Sequence, residues 1–262
     1  PRAAHVIAEA ERLAFADRAR YLADDDFVAV PVSGLLDPGY LATRRALIDP
    51  ERAQNKVTAG MPPDVKRGSF GKDHTKERGG TSQVSVVDAQ GDAFSMTTSI
   101  EHSFGARTMV RGFLLNNQLT DFSFLPVDAE GHAIANRVEP GKRPRSSMDP
   151  TMIFGEDGDL DYVLGSPGGP GIILFNLKTI FALLDWDMDA AEAAALVNFG
   201  GTPKTVLIEH GADWDPLATD LKAKGQRVRR MDMTSGQHVI AVTPEGLEGG
   251  ADPRRESVAL GD

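Results

Sequence analysis

Residues 82–100 place the firmest limit on the fold, because apolar and polar side chains alternate there on both sides of a short turn. The stretch SQVSVVD alternates over 82–88, AQGD forms the turn, and AFSMTTSI alternates back over 93–100. Alternation with a period of two around turn residues is typical of a β-hairpin. We therefore expect a hairpin here, and β-structure through the middle of the chain.

Helical patterns precede and follow these strands. Apolar residues at helical spacing predict a first helix over 2–23, although Asp17 interrupts the apolar stripe. The remaining predicted elements are a helix over 37–49, a strand over 112–119, a hairpin over 151–165, helices over 171–186, 189–199 and 215–225, and a final strand pair of 227–232 with 238–243. The order helices, strands, helices, strands predicts an α+β fold, with sheets covered by helical layers.

Residues 52–80 break this regularity. They show almost no periodicity and are rich in Gly, Pro, Lys and Arg, which predicts a loop or flexible tether. A loop of this length inside a compact domain usually has a function or is disordered.

Composition excludes several classes of protein. The 262 residues suffice for one large domain or two small ones, and the net charge of −10 argues against sequence-independent binding to nucleic acid. The absence of cysteine excludes disulfides and thiolate nucleophiles, and the histidines lack metal spacing, so we predict no metal or cofactor. No apolar run reaches membrane-spanning length and no signal peptide is visible. Because the chain begins without Met, a lost targeting segment stays open.

The tripeptide GGT at 79–81 raises the possibility of self-cleavage. A threonine hydroxyl becomes a good nucleophile when its own α-amino group acts as the base, which requires Thr81 to be the first residue of a chain. Cleavage after Gly80 would create that terminus, and glycine allows close approach to its carbonyl. Taken alone, GGT indicates an ordinary turn leading into a strand, and self-cleavage needs further support.

Two further motifs each allow two interpretations. The glycines of GSPGGPG (165–171) could present N–H groups to an anion or an oxyanion, or form a plain strand-to-helix turn. In LLNNQLTDF (114–122), Gln118 and Asp121 could hold an ammonium group, or serve as a helix cap or Asx turn.

A basic segment, PGKRPRSSMDPT (140–151), is the last candidate. Its adjacent Ser146 and Ser147, beside three basic residues, could bind a carboxylate. The alternative is a basic surface loop.

The order and spacing of these motifs resemble those of γ-glutamyltranspeptidases, a branch of the N-terminal nucleophile hydrolases. The matching blocks are GGTSQVSVVDAQGDAFSMTTSIEHSFG, GFLLNNQLTDFS, PGKRPRSSMDPT, GSPGG and GGADPRR, while HVIAEAERLAFADRARYL resembles the segment before the processing site. The resemblance implies an αββα sandwich, in which two antiparallel sheets lie between helical layers. It also implies that an amino-terminal part of the large subunit is missing, with residues 1–80 its end and residues 81–262 the small subunit, together one domain.

The resemblance also implies roles for individual residues. Thr81 is the expected nucleophile, Ser99 the second hydroxyl bonded to it, and Gly80–Thr81 the cleavage site. The oxyanion hole is expected at Gly168 and Gly169. The substrate-binding residues implied are Glu101, Gln118 and Asp121 for the α-amino group, and Ser146 and Ser147 for the α-carboxylate.

The expected function is γ-glutamyl transfer or hydrolysis, with glutathione or another γ-glutamyl amide as the donor and water, an amino acid or a peptide as the acceptor. No cofactor, nucleic acid or membrane span is expected. Cleavage would give a large-and-small-subunit heterodimer, and a further oligomer stays open. Two alternatives stay open: a cephalosporin or glutaryl acylase, and an inactive, unprocessed scaffold or fragment. One reason for the second is Gly171, which stands where the family usually has Arg. The resemblance favours a periplasmic or secreted location, with the cytoplasm also open.

Overall fold

A computed structural model describes residues 1–66, 68–75 and 80–261. Its helices are α1 Arg2–Tyr21, α2 Val32–Leu35, α3 Pro38–Arg45, α4 Gly171–Leu184, α5 Ala190–Ala195 and α6 Asp215–Ala223, with short 3₁₀ helices at Gln118–Asp121 and Ala212–Trp214. Its strands are β1 Thr81–Val87, β2 Ala93–Ser99, β3 Met109–Val110, β4 Phe113–Leu114, β5 Thr151–Phe154, β6 Leu160–Gly165, β7 Phe199–Thr202, β8 Thr205–Glu209, β9 Val228–Met231, β10 His238–Thr243 and β11 Gly246–Ala251.

The chain forms two compact units, each built from three segments. The first unit comprises Pro1–Lys76, Leu119–Ser146 and Phe199–Met231, and the second comprises Glu77–Gln118, Ser147–Asn198 and Asp232–Asp262. Both units draw on the chain before and after position 147, so each depends on contacts that are distant in sequence.

In the first unit, α1 packs against β7 of the three-stranded sheet β7-β8-β9. The backbone of Gly201 lies so close to α1 that a Cβ atom there would be 2.0 Å from the carbonyl oxygen of Ala8. The same approach lets the Gly201 N–H donate a 2.6 Å hydrogen bond to the buried Glu11 carboxyl group. Burial raises the pKa of Glu11 well above its ordinary value.

The predicted first helix is confirmed, and the structure explains why Asp17 interrupts its apolar stripe. The Asp17 carboxylate accepts hydrogen bonds from the Tyr40 hydroxyl at 2.8 Å, the Gly60 N–H at 2.7 Å and the Arg44 guanidinium at 3.2 Å. A carboxylate on the inner face is compatible with burial because its charge is paired and its oxygens are hydrogen-bonded. This side chain therefore connects α1, α3 and the tether.

The tether is irregular, as predicted, but hydrogen bonds hold its described residues before position 76 within the first unit. Asp73 accepts hydrogen bonds from Arg145 and Asn136, both at 3.3 Å, and its N–H bonds to the carbonyl of Ala19. Tyr21 donates to the carbonyl of Gly60 at 2.7 Å. Arg67 and residues 76–79 of the predicted tether lie outside the described residues.

In the second unit, β1 and β2 form the predicted hairpin, with Thr81 opposite Ser99 and Val87 opposite Ala93. The hairpin packs on the antiparallel sheet β11-β10-β6-β5, contacting β6 and β10. Helices α4 and α5 contact strands of that same sheet, and Leu164, Ala182, Ala193 and Val239 belong to one buried cluster. Sheets and helices therefore stack as expected for an α+β fold.

Three predictions at the level of single elements were wrong. In place of the expected strand over 112–119, the structure has the two-residue strands β3 and β4 and a 3₁₀ helix. Within the described chain, the polar residues of this stretch from Asn116 onward pair with no strand. The expected pairing of 227–232 with 238–243 does not occur: β9 runs parallel to β8, and β10 lies between β11 and β6. The helix predicted over 189–199 ends at Ala195, and Phe199 begins β7.

The outward face of the hairpin is apolar. Val84, Val86, Phe94 and Met96 share that face as two cross-strand pairs, and each is between 39% and 51% exposed. Among the described residues, no helix is long and apolar enough to cross a membrane.

Candidate active site

Thr81 and Ser99 form a hydroxyl pair at the start of the hairpin. The strand register places the two residues opposite each other, and Thr81 Oγ1 donates a hydrogen bond to Ser99 Oγ at 3.1 Å. Ser99 Oγ in turn donates to the carbonyl oxygen of Gly80 at 3.3 Å. The hydroxyl of Ser99 thus links the Thr81 hydroxyl to the carbonyl of the bond immediately before it.

Glu101 supports this pair through its backbone. Its N–H donates to Ser99 Oγ at 2.9 Å, and its φ of 70° is in the left-handed region that non-glycine residues rarely adopt. The turn brings the carbonyl of Glu101 against Gly80, where an added Cβ would lie 2.2 Å from that oxygen. Position 80 therefore requires glycine in this conformation, for a steric reason that GGT alone did not reveal.

The Glu101 side chain is buried and held by Asn117. Asn117 Nδ2 donates to the Glu101 carboxylate, and Asn117 Oδ1 accepts from the His102 N–H at 3.0 Å. Asn117 belongs to the motif LLNNQLTDF, in which only Gln118 and Asp121 have a predicted role. Its position after a strand, beside Gln118, was the only signal available.

Gln83 is a second residue for which no role is predicted from the sequence. It is buried on the inner face of β1, where it donates to Ser95 Oγ at 3.0 Å and accepts from Thr97 Oγ1 at 2.6 Å. Its carboxamide fills the space beside Gly165, where a Cβ would come within 2.4 Å of it. This contact places the end of β6 against the inner face of β1.

The turn after β6 carries Gly168 and Gly169 into α4. Their φ angles are 144° and 57°, and a Cβ at Gly168 would lie 2.5 Å from the ring of Phe175. Their carbonyls accept from the N–H groups of Gly171 and Ile172, both at 3.1 Å. Within the described part of the chain, the N–H groups of Gly168 and Gly169 donate to no other residue, so both are available to an oxyanion.

The remaining predicted binding residues divide between the units. Gln118 and Ser147 belong to the second unit, and the Gln118 N–H is bonded to Asn116 Oδ1 at 3.0 Å. Asp121 and Ser146 belong to the first unit, where their carbonyls accept hydrogen bonds from Asn136 at 2.8 Å and Arg18 at 3.4 Å. Ser147 is buried and Ser146 is exposed.

The family model described as Gamma-glutamyltranspeptidase matches this chain over residues 1–262. The chain belongs to the γ-glutamyltranspeptidase family. It is 35% identical to a glutathione hydrolase proenzyme of Pseudomonas aeruginosa, covering 98% of this chain and 45% of the relative. It is 36% identical to the Escherichia coli glutathione hydrolase proenzyme, covering 96% of this chain and 43% of the relative. The chain therefore spans less than half the length of these curated relatives.

Other similar proteins have acylase names. The Acylase ACY 1 proenzyme of Pseudomonas sp. strain V22 is 38% identical, over 95% of this chain and 41% of the relative. Among solved structures, an acivicin-inhibited γ-glutamyltranspeptidase is 33% identical with a TM-score of 0.59, covering 66% of this chain and 98% of that chain. Cephalosporin acylase from Bacillus halodurans shares the fold with a TM-score of 0.79 at 22% identity, covering 97% of this chain and 44% of that chain. The predicted α+β fold of the N-terminal nucleophile hydrolases is confirmed by these likenesses.

Proposed function

We propose that this protein cuts its own Gly80–Thr81 bond and then transfers γ-glutamyl groups from amides such as glutathione. The observation that carries the proposal is the hydrogen-bonded chain from Thr81 Oγ1 through Ser99 Oγ to the carbonyl oxygen of Gly80. These are the three oxygens that self-cleavage requires: a nucleophile, a proton carrier and the carbonyl under attack.

In the cleavage step, Thr81 Oγ1 attacks the carbonyl carbon of Gly80. Ser99 accepts the proton of the attacking hydroxyl and delivers its own proton to the carbonyl oxygen, so no ionised base is needed. The Gly80–Thr81 C–N bond then breaks as the former carbonyl oxygen gives up its proton and the Thr81 nitrogen takes one up, and an ester joins Gly80 to Thr81 Oγ1. Water hydrolyses this ester and leaves a carboxylate on Gly80 and a free amine on Thr81.

In the transfer reaction, that free amine acts as the general base for Thr81 Oγ1. The hydroxyl gives its proton to this amine and attacks the γ-carbonyl of the donor. The donor's amide C–N bond then breaks, the protonated Thr81 amine passes the proton to the departing amine, and a γ-glutamyl ester forms on Thr81. The N–H groups of Gly168 and Gly169 stabilise the oxyanion, a task for which donors without other partners are suited. Water or an amino acid then takes the glutamyl group. The residues proposed to bind the donor's α-amino and α-carboxylate groups are Glu101, Gln118, Asp121, Ser146 and Ser147.

Residues 1–80 and 81–262 would then be two subunits of one heterodimer, the first the end of the large subunit and the second the small subunit. The chemistry needs no cofactor, since every proton and acyl transfer is assigned to a side chain, a backbone group or water.

Turnover of paired substrates tests this function. The cut protein is expected to release the aniline from a γ-glutamyl anilide faster than it hydrolyses a glutaryl amide, and an acid-quenched reaction should carry the γ-glutamyl group on the peptide that begins with Thr81. Faster turnover of the glutaryl amide would favour the acylase alternative, which the likeness to ACY 1 proenzymes motivates. A chain that folds normally but is neither cut nor active would support the scaffold alternative.

A further inference from the structure

The guanidinium of Arg255 lies at the backbone of Thr81. Arg255 Nη1 donates to the carbonyl oxygen of Thr81 at 3.5 Å, while its Nε and Nη2 donate to the carbonyls of Ser235 at 3.1 Å and Thr234 at 3.2 Å. One side chain therefore joins the first residue of β1 to the loop before β10. Its three acceptors are all neutral carbonyls, so these contacts leave the positive charge of the guanidinium uncompensated.

Packing fixes the path of this side chain. Gly236 has no Cβ, and one added there would lie 2.9 Å from Arg255 Cδ and 2.8 Å from Pro167 Cγ. Pro167 directly precedes Gly168. The aliphatic part of Arg255 thus passes beside Gly236 and close to the residue that precedes the Gly168–Gly169 turn.

We propose that Arg255 is a positioning residue for Thr81, holding its carbonyl and keeping a positive charge beside the amine that cleavage exposes. This inference rests on the proposed function, because it concerns the amine as the base. The three bonds from the Thr81 carbonyl oxygen to the nitrogen of the same residue span at most about 4 Å. Added to the 3.5 Å hydrogen bond, this keeps the guanidinium within roughly 8 Å of that nitrogen.

The charge matters because an ordinary α-amino group has a pKa of about 7.7–8.0 and is mostly protonated at neutral pH. A protonated amine cannot take a proton from the Thr81 hydroxyl. A nearby cation disfavours the protonated form and lowers the pKa of the amine, so more of it is in the basic form. Because Arg255 is exposed, solvent weakens the effect, and we expect a shift of about half a unit to one unit.

Other titratable groups stand on the elements around β1, and their described contacts are elsewhere. The Glu101 carboxylate accepts from Asn117 and would act in the opposite direction, by favouring the protonated amine. Asp161 of β6 lies against Gly155 at the opposite end of that strand, and burial lowers the pKa of His238 on β10.

The aspartate and arginine next to Arg255 in sequence are also engaged. The buried Asp252 carboxylate accepts from Ser235, from the Gln237 N–H and from Arg254. Arg254 extends instead to the carbonyls of Ala195 and Leu196 at the end of α5. Among the described residues, Arg255 is therefore the cation bonded to Thr81.

The test is the pKa of the Thr81 amine in the cut protein, measured by competitive acylation across a pH series with mass spectrometry of the peptide that begins with Thr81. Arg255→Met should raise this pKa by about half a unit to one unit, and Arg255→Lys should leave it near the wild-type value. The acid limb of the pH profile of kcat/KM should move by the same amount. Arg229→Met, which removes an exposed arginine of the first unit, is the matched control and should change neither value.

If the methionine variant does not fold or is not cut, Arg255→Gln supplies a second neutral variant that keeps a hydrogen-bond donor. An amine pKa that is the same in the wild type and in the neutral variants would overturn the inference. Acylation needs no substrate turnover, so a cut protein that does not hydrolyse γ-glutamyl amides contradicts the proposed function while this test still gives its answer. A wild-type chain that stays uncut contradicts both.

Discussion

The inward-facing polar groups of the hairpin differ in kind from the buried polar groups of the first unit. In the first unit, carboxylates pair with arginines: Glu9 with Arg12, Asp17 with Arg44, and Asp73 with Arg145. In the second unit, the inner groups of the hairpin are hydroxyls and one carboxamide, from Thr81, Ser99, Gln83, Ser95 and Thr97. The carboxylate of Asp17 holds three partners at 2.7–3.2 Å, whereas the bonds from Thr81 to Ser99 and from Ser99 to Gly80 are 3.1 and 3.3 Å.

This difference suits the first set of groups to stabilising the fold and the second set to proton transfer. A buried charged pair is costly to break, because removing one partner leaves the other uncompensated. Neutral hydroxyls can both donate and accept, so a chain of them can pass a proton without leaving a charge behind. Substitutions in the first unit should therefore change stability, and substitutions around Thr81 should change reactivity.

The largest effect is expected from Asp17→Ala. It leaves Arg44 buried without its carboxylate and removes the acceptor of the Gly60 N–H, so the free energy of unfolding should fall by about 3–5 kcal/mol. Urea titration measures the change. Tyr40→Phe, which removes one of the donors to Asp17, should cost only about 1 kcal/mol. If both variants lost the same free energy of unfolding, the charge of Asp17 would not be what stabilises this contact.

Ser99→Ala should change the rate of self-cleavage rather than the stability of the fold. Without the hydroxyl between Thr81 Oγ1 and the Gly80 carbonyl, cleavage should slow by roughly 10²–10³-fold, while the folded structure remains. The band of uncut chain, followed over time, measures the rate. Ser82→Ala, one residue after Thr81 and exposed on the other face of β1, is the control and should be cut at the normal rate. Normal cleavage of Ser99→Ala would remove Ser99 from the mechanism.

Gly80→Ala should displace the bond to be cut. Its Cβ would lie 2.2 Å from the carbonyl oxygen of Glu101, and a displacement of about 1 Å costs roughly 10²-fold in rate. Gly91→Ala in the hairpin turn is the control. Its φ is 86° and nothing lies within 4 Å of the added Cβ, so it should cost about 1–2 kcal/mol of stability and leave cleavage unchanged. Cleavage of Gly80→Ala at the normal rate would contradict this geometry.

Glu11→Gln should have the smallest effect, and only at higher pH. Because burial raises the folded-state pKa of Glu11, its contribution is fully present below the unfolded pKa and is lost as pH rises through the folded value. Between the unfolded and the folded pKa, the free energy of unfolding of the wild type should fall by about 1.4 kcal/mol per pH unit, whereas that of the variant should not. Denaturant titrations at several pH values measure the difference, with the exposed Glu256→Gln as control. Parallel stability curves for wild type and Glu11→Gln would show that Glu11 is ionised in the folded protein.

The sequence predicted the hairpin well because its alternation and turn are local signals, and β1 and β2 match the expected strands within one residue at each end. It also predicted α1, β5, β6 and α4. It could not predict that β9 pairs with β8 and that β10 pairs with β6, since pairing depends on contacts far apart in sequence. The buried position of Asp17 likewise becomes understandable only through partners 23 to 43 residues away.

For the candidate site, motif order was more informative than any single motif. Thr81 and Ser99 are 18 residues apart, and the hairpin register alone brings them together. Asn117, Gln83 and Arg255 escaped assignment because their significance lies in what they touch: a carboxylate, a glycine of β6 and the Thr81 carbonyl. The roles of the predicted substrate-binding residues stay predictions.

An intact mass spectrum under denaturing conditions tests the central claim most directly. The wild-type protein should give two chains that meet at the Gly80–Thr81 bond, and Thr81→Ala should give one uncut chain. A wild-type protein that stays as a single chain while turning over γ-glutamyl amides at full rate would contradict the account.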